Sequence, residues 1–171
     1  MERDAADVFS EWQEKPLDEA LRECRDLVES GDPLPLRRWK QSGRKAAGHF
    51  QVYFPEEIVH AGGMLPFKVR GAPREPAQAV SRFGSYLCSI LKTSLEGALT
   101  GDLPLDLFVS HPICDAARNL AAIWGRNVDY PCQILQLPQN PNSAHSVPFL
   151  REEYDRLRRG VASVAGREPL E

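Results

Sequence analysis

A chain of 171 residues, 42% hydrophobic and 26% charged, carries enough apolar material for one substantial core, and that balance excludes a disordered or fibrous protein. Its net charge of −3 removes the electrostatic motive for binding nucleic acid or an anionic membrane surface. The acidic start MERDAADVFSEW lacks the apolar stretch of a secretory signal, and no apolar run approaches the roughly 20 residues needed to span a bilayer, so the expected compartment is the cytoplasm.

The first fifty residues read as helical, giving an N-terminal helical segment (1–50) ahead of an α/β domain (51–171). Leu17, Leu21, Cys24 and Leu27/Val28 recur at steps of three and four and form one apolar stripe. Gly31-Asp32-Pro33 then ends that helix. The basic stretch PLRRWKQSGRKAAGHF reads as a short helix followed by a loop leading inward.

From Pro55 the pattern changes. PEEIVHAGG opens with proline and two glutamates, which suit a helix start, and Gly62-Gly63 stops it. MLPFKV is a short apolar run with β character, and GAPREP a polar loop. SRFGSYLCSILKTSLEGALTG reads as a helix ending at Gly101, with Leu87, Leu91, Leu95 and Leu99 on one face. LDLFVS is a compact buried-strand candidate, and HPICDAARNLAAIWGR a loop that enters a helix. CQILQL is a further strand candidate, closed by PQNPNSAHS. The last helix covers VPFLREEYDRLRRGVASVAG, with Leu150, Tyr154, Leu157, Val161 and Val164 as its stripe.

Short apolar strands separated by helices of ten or more residues imply βαβ units. The expected fold class is therefore α/β, a small parallel sheet with flanking helices, Rossmann-like and three-layered, behind the helical segment. Three strands are legible, and the origin of a fourth stays open.

Four cysteines occur, Cys24, Cys88, Cys114 and Cys132, with no CxxC pair to mark a zinc ribbon or a thioredoxin motif. In a reducing compartment each is a core residue, a metal ligand or a nucleophile. Cys114 follows the strand LDLFVS and opens a helix, where backbone N–H groups favour an anionic sulfur. Cys88 is expected near the same sheet edge, after the first strand candidate. Two thiols from separate βα connections suit an iron–sulfur or zinc site, although a buried small thiol is the commoner use of a free cysteine. Cys24, on an apolar stripe, and Cys132, at the amino end of a strand, read as core.

Other residues have both functional and plain readings. His111 stands at a strand end and can serve a cluster or a substrate carbonyl, or simply be a loop histidine. Asp115, Glu56 and Glu57 read as charges at helix starts. Gly62 and Gly63 fit a helix stop or a close approach by a ligand. Arg37, Arg38, Lys40, Arg44 and Lys45 form a basic patch, either a solvated face or a surface for CoA phosphates. No GxGxxG or P-loop is present, so neither a dinucleotide nor ATP is an expected ligand.

The runs FPEEIVHAGGMLPFKV, SYLCSILKTSLEGALTG, FVSHPICDAARNLAAIW and LPQNPNSAHSVPFLREEYDRL, in this order from about Trp39 to Val164, resemble the benzoyl-CoA reductase / 2-hydroxyacyl-CoA dehydratase family. The resemblance implies a 4Fe-4S cluster held between two α/β domains by three cysteines, of which Cys88 and Cys114 match the two from the amino-terminal domain. It further implies an acyl-CoA thioester substrate, a related paired subunit and a separate ATP-hydrolysing activator that delivers electrons. CDAARNLAAIW and LPQN are more similar to the benzoyl-CoA reductase branch than to the dehydratase branch. Family subunits are much longer than this chain, and the third cysteine has no counterpart here. The expectation is therefore a half-subunit that is not a competent catalyst by itself. A non-catalytic subunit-pairing module is the rival from another class.

Overall fold

The alternation of apolar runs and helical stripes builds, in a computed structural model, a parallel sheet with helices on both faces. The structure describes residues 15–31, 33–50, 53–84 and 86–167. Helices α1 (Leu17–Ser30) and α2 (Leu34–Gln41) come first, followed by strand β1 (Ala46–His49). Helix α3 (Glu56–Ala61) leads to β2 (Leu65–Lys68), and α4 (Ala77–Val80) and α5 (Ser89–Leu99) lead to β3 (Leu107–Ser110). Helix α6 (Asp115–Gly125), β4 (Cys132–Ile134) and α7 (Ser146–Ala165) complete the described elements.

The strand order is β2-β1-β3-β4, and every pairing is parallel. Alternate residues of each strand point to opposite faces, and two apolar cores result. On one face Ala46 and Phe108 meet Leu91 and Leu95 of α5 and Leu120 and Trp124 of α6. On the other, Ala47, Leu107 and Val109 meet Val59 of α3 and Leu157 and Val161 of α7. The three-layer α/β architecture is the one the sequence implies.

The missing fourth strand is β1, inside the stretch read as a helix and an inward loop. Its four residues are all buried, and it pairs with neighbours on both sides. It escapes a sequence reading because Ala-Ala-Gly-His has none of the β-branched residues that mark strands. Space explains the choice: a Cβ on Gly48 would stand 2.4 Å from Leu105 Cδ1. Asp106 binds β1 at its start, its Oδ2 accepting from the Ala46 N–H at 2.8 Å and lying 2.5 Å from Lys40 Nζ.

Helix α5 also starts later than the periodicity predicts, at Ser89, because the chain first makes the short α4. Glu96, buried in the middle of α5, accepts from the N–H groups of Gln78 and Ala79 at 2.9 and 2.7 Å and so caps α4.

The chain divides into two compact units at the step between residues 32 and 33. In the first unit α1 carries its apolar stripe on an exposed surface: Leu17, Leu21 and Val28 are 72%, 58% and 64% exposed. Cys24 is exposed with them, which corrects its expected place in a core. The 3.6-residue period was real, but periodicity reports only that one face is apolar, not that it is covered.

Candidate functional site

Helices α5 and α6 both run back from the carboxyl edge of the sheet, lie on the same face and touch each other. Each N-terminal end therefore lies at the carboxyl edge of the sheet. Cys88 is the N-cap of α5 and Cys114 the N-cap of α6, both in extended backbone conformation and both exposed. The Cys114 Sγ accepts from the Ala117 N–H at 3.4 Å. The first-turn N–H groups of a helix lack intrahelical partners and carry its positive end, and the Cys114 sulfur meets one of them, whereas Cys88 makes no side-chain capping hydrogen bond.

The other two cysteines are differently placed. Cys132 starts β4, is half-buried against the core, and donates its S–H to the Tyr130 carbonyl at 3.7 Å. Burial pushes its thiol up to about 11, away from the ligand form. Cys24 lies on α1, in the other unit. No group of three metal-ligating side chains is assembled among the described residues. The donor set thus fits two ligands of a thiolate-held cluster and supplies no third.

His111 follows β3 and lies half-buried, its Nδ1 donating to the Leu135 carbonyl at 3.1 Å. Because a carbonyl can only accept, that contact fixes the proton on Nδ1 and ties together the chain just beyond β3 and β4. Asp115 is exposed in the first turn of α6. Glu56 and Glu57 begin α3 as expected, but Glu56 has a partner the sequence did not reveal: its Oε1 lies 2.8 Å from Nε2 of His49. His49 is 2% exposed, and its ring stacks on Phe54 at 4.4 Å between centroids. A lone histidine at the end of an unrecognised strand gives little signal of such a pair.

The two glycines serve packing. Gly63 has φ +71°, the left-handed conformation that ends a helix, and Gly62 lets α7 approach, since its Cβ would stand 2.3 Å from Val161 Cγ1. Most of the basic patch has structural partners. Arg37 pairs with Asp102 and Lys40 with Asp106, Arg44 stacks 3.4 Å over the Trp39 ring, and Lys45 donates to the Val164 carbonyl.

Residues 51–170 match the family model described as 2-hydroxyglutaryl-CoA dehydratase, D-component, a span that contains both edge cysteines and all strands but β1. The chain belongs to this family. A benzoyl-CoA reductase subunit from Thauera aromatica is 30% identical over 86% of the chain. The (R)-phenyllactyl-CoA dehydratase beta subunit of Clostridium sporogenes is 31% identical over 80%, and the (R)-2-hydroxyglutaryl-CoA dehydratase beta subunit of Acidaminococcus fermentans 29% over 87%. The chain spans about 40% of the length of these relatives. Family membership relates the chain to subunits of the reductase and dehydratase group, as the motifs implied.

Proposed function

We propose that this chain is the cluster-side part of a benzoyl-CoA reductase-type subunit, with Cys88 and Cys114 as ligands of a 4Fe-4S cluster. The observation that supports the reading is that Cys88 and Cys114, both exposed, are the N-caps of two helices that touch on one face of the sheet. When bound, the cluster supplies single electrons of low potential to an acyl-CoA thioester. The chain's own part is to hold two corners of it, with the Ala117 N–H donating to the Cys114 sulfur and offsetting its negative charge. Remaining ligands come from outside the described residues, and the electrons from an ATP-hydrolysing activator acting on this chain and a related paired subunit.

Anaerobic reconstitution with iron and sulfide tests the ligand assignment. The wild-type chain and Cys132→Ser should take up iron in the anaerobic mixture, weakly because only two thiolates hold it, while Cys88→Ser and Cys114→Ser should each take up much less. Equal iron in all four, or none in the wild type, would overturn the assignment.

A second reading, dehydration of a 2-hydroxyacyl-CoA, is favoured by the description of the matching family and by the dehydratase names among the relatives. Product analysis of the complex assembled with its paired subunit and activator, using benzoyl-CoA and (R)-phenyllactyl-CoA, separates the two: ring reduction against loss of water. A Cys88→Ala/Cys114→Ala double variant that binds its partner subunit and leaves activity unchanged would instead identify a pairing module.

A further inference from the structure

The carboxyl edge of the sheet carries a second pair of ionisable groups besides the cysteines. The order β2-β1-β3-β4 reverses its direction of growth between β1 and β3, since the chain goes outward from β1 to β2 on one side and from β3 to β4 on the other. The connections leaving these neighbouring strands depart to opposite faces, α3 to one and α6 to the other. Such a divergence marks the place beyond the strand ends where parallel α/β sheets commonly form a ligand crevice.

His49 is the last residue of β1 at that place, in register with Val109 near the end of β3. The stacked Phe54 ring holds its imidazole with 11° between planes. Its side chain is only 3% exposed, whereas that of Glu56, 2.8 Å away, is 52% exposed. The pair therefore runs from the interior to the rim. Burying an imidazole beside a carboxylate has a desolvation cost that an apolar residue of similar size avoids. The surrounding core of Ala47, Val59 and Val109 needs no ionisable group. A buried histidine paired with a half-exposed carboxylate at a ligand-binding edge is the pattern of a functional site.

We propose that Glu56 is a polar contact for the acyl-thioester substrate in the β1/β3 crevice and that His49 is its positioning residue. This inference rests on the family reading above and adds a substrate-side pair to the two cysteines. Glu57 is the internal control, because adjacent residues of a helix project in different directions.

The test is titration of the full chain with benzoyl-CoA and with (R)-phenyllactyl-CoA, followed by calorimetry and by NMR of ¹⁵N-labelled histidine rings. At least one thioester should bind and move the His49 ring signals. Glu56→Gln should weaken that binding about tenfold or more, a change of about 1.4 kcal/mol or more, and abolish the ring response. Glu57→Gln should match the wild type. His49→Gln, whose amide can still hold the carboxylate, should retain more affinity than His49→Phe. Unchanged affinity in Glu56→Gln, equal losses in Glu56→Gln and Glu57→Gln, or no binding of either thioester would overturn the proposal. Should His49→Phe fail to fold, the exposed Glu56→Gln decides the matter. Iron uptake measured on the same samples keeps the two readings apart: iron held through Cys88 and Cys114 with indifferent thioester binding sinks this proposal alone.

Discussion

Gly62 and Gly63 are neighbours with different physical duties. A methyl group on Gly62 would collide with Val161, and one on Gly63 would add strain at φ +71° and meet the Arg167 guanidinium, whose Nε donates to the Gly62 carbonyl at 2.8 Å. Gly62→Ala should destabilise the protein by about 1–3 kcal/mol through overpacking, read from denaturant unfolding. A paired Val161→Ala change should recover part of that loss. Cys132 makes a prediction of another kind. Burial raises its thiol to about 11 from 9.0, and raises the Tyr130 hydroxyl to about 12 from 10.0. Folding therefore favours the protonated forms of both. Their contribution to stability is complete below pH 9 and is lost as the pH climbs, through about 11 for the thiol and about 12 for the hydroxyl. Unfolding free energy, measured from about pH 8 to 11, should fall less steeply in Cys132→Ala than in the wild type. Over that range alkylation should label exposed Cys88 and Cys114 before Cys132.

At the scale of elements, two buried or half-buried carboxylates hold pieces that local sequence would not. Helix α4 has only four residues, too few to be stable alone, and its first N–H groups are satisfied by Glu96 from the neighbouring α5. Glu96→Ala should leave those donors unpaired and cost about 1–3 kcal/mol, with faster hydrogen exchange at the Gln78 and Ala79 amides as the local signature. Asp106 does the same for β1 and also pairs with Lys40. Neither role is visible in a linear reading, because a glutamate inside an amphipathic helix and an aspartate before a strand look like surface charges. The placement of the cysteines was easier to read. Each follows a βα connection and precedes a helix, so position in the chain nearly dictates position at the edge. What the helix start decided was the role: with α5 beginning at Ser89, Cys88 becomes an N-cap rather than part of the first turn.

At the scale of the whole molecule, both apolar cores are built from residues 36 onward, and Phe108 stacked 3.9 Å on Trp124 forms the heart of one of them. A chain beginning at Pro33 should therefore fold by itself, with a cooperative melt and unchanged iron uptake at the edge cysteines. Non-cooperative melting of that chain would show that the second unit is not autonomous. Phe108→Ala should cost about 3–5 kcal/mol, because the central strand has no neighbour able to fill the space.

The sequence by itself determined the α/β class, three of the four strands, the helices that flank them, the family, and the two cysteines that head α5 and α6. These follow from local periodicity, from the order of elements and from motifs, all of which are written along the chain. Tertiary structure alone decided that Ala46–His49 is a central strand, that Cys24 is exposed, and that His49 meets Glu56. A strand of small residues is recognisable only once its neighbours close in on it. Coverage of an apolar stripe and the meeting of an imidazole with a carboxylate likewise depend on which surfaces the fold brings together, and the chain's local chemistry does not encode that directly.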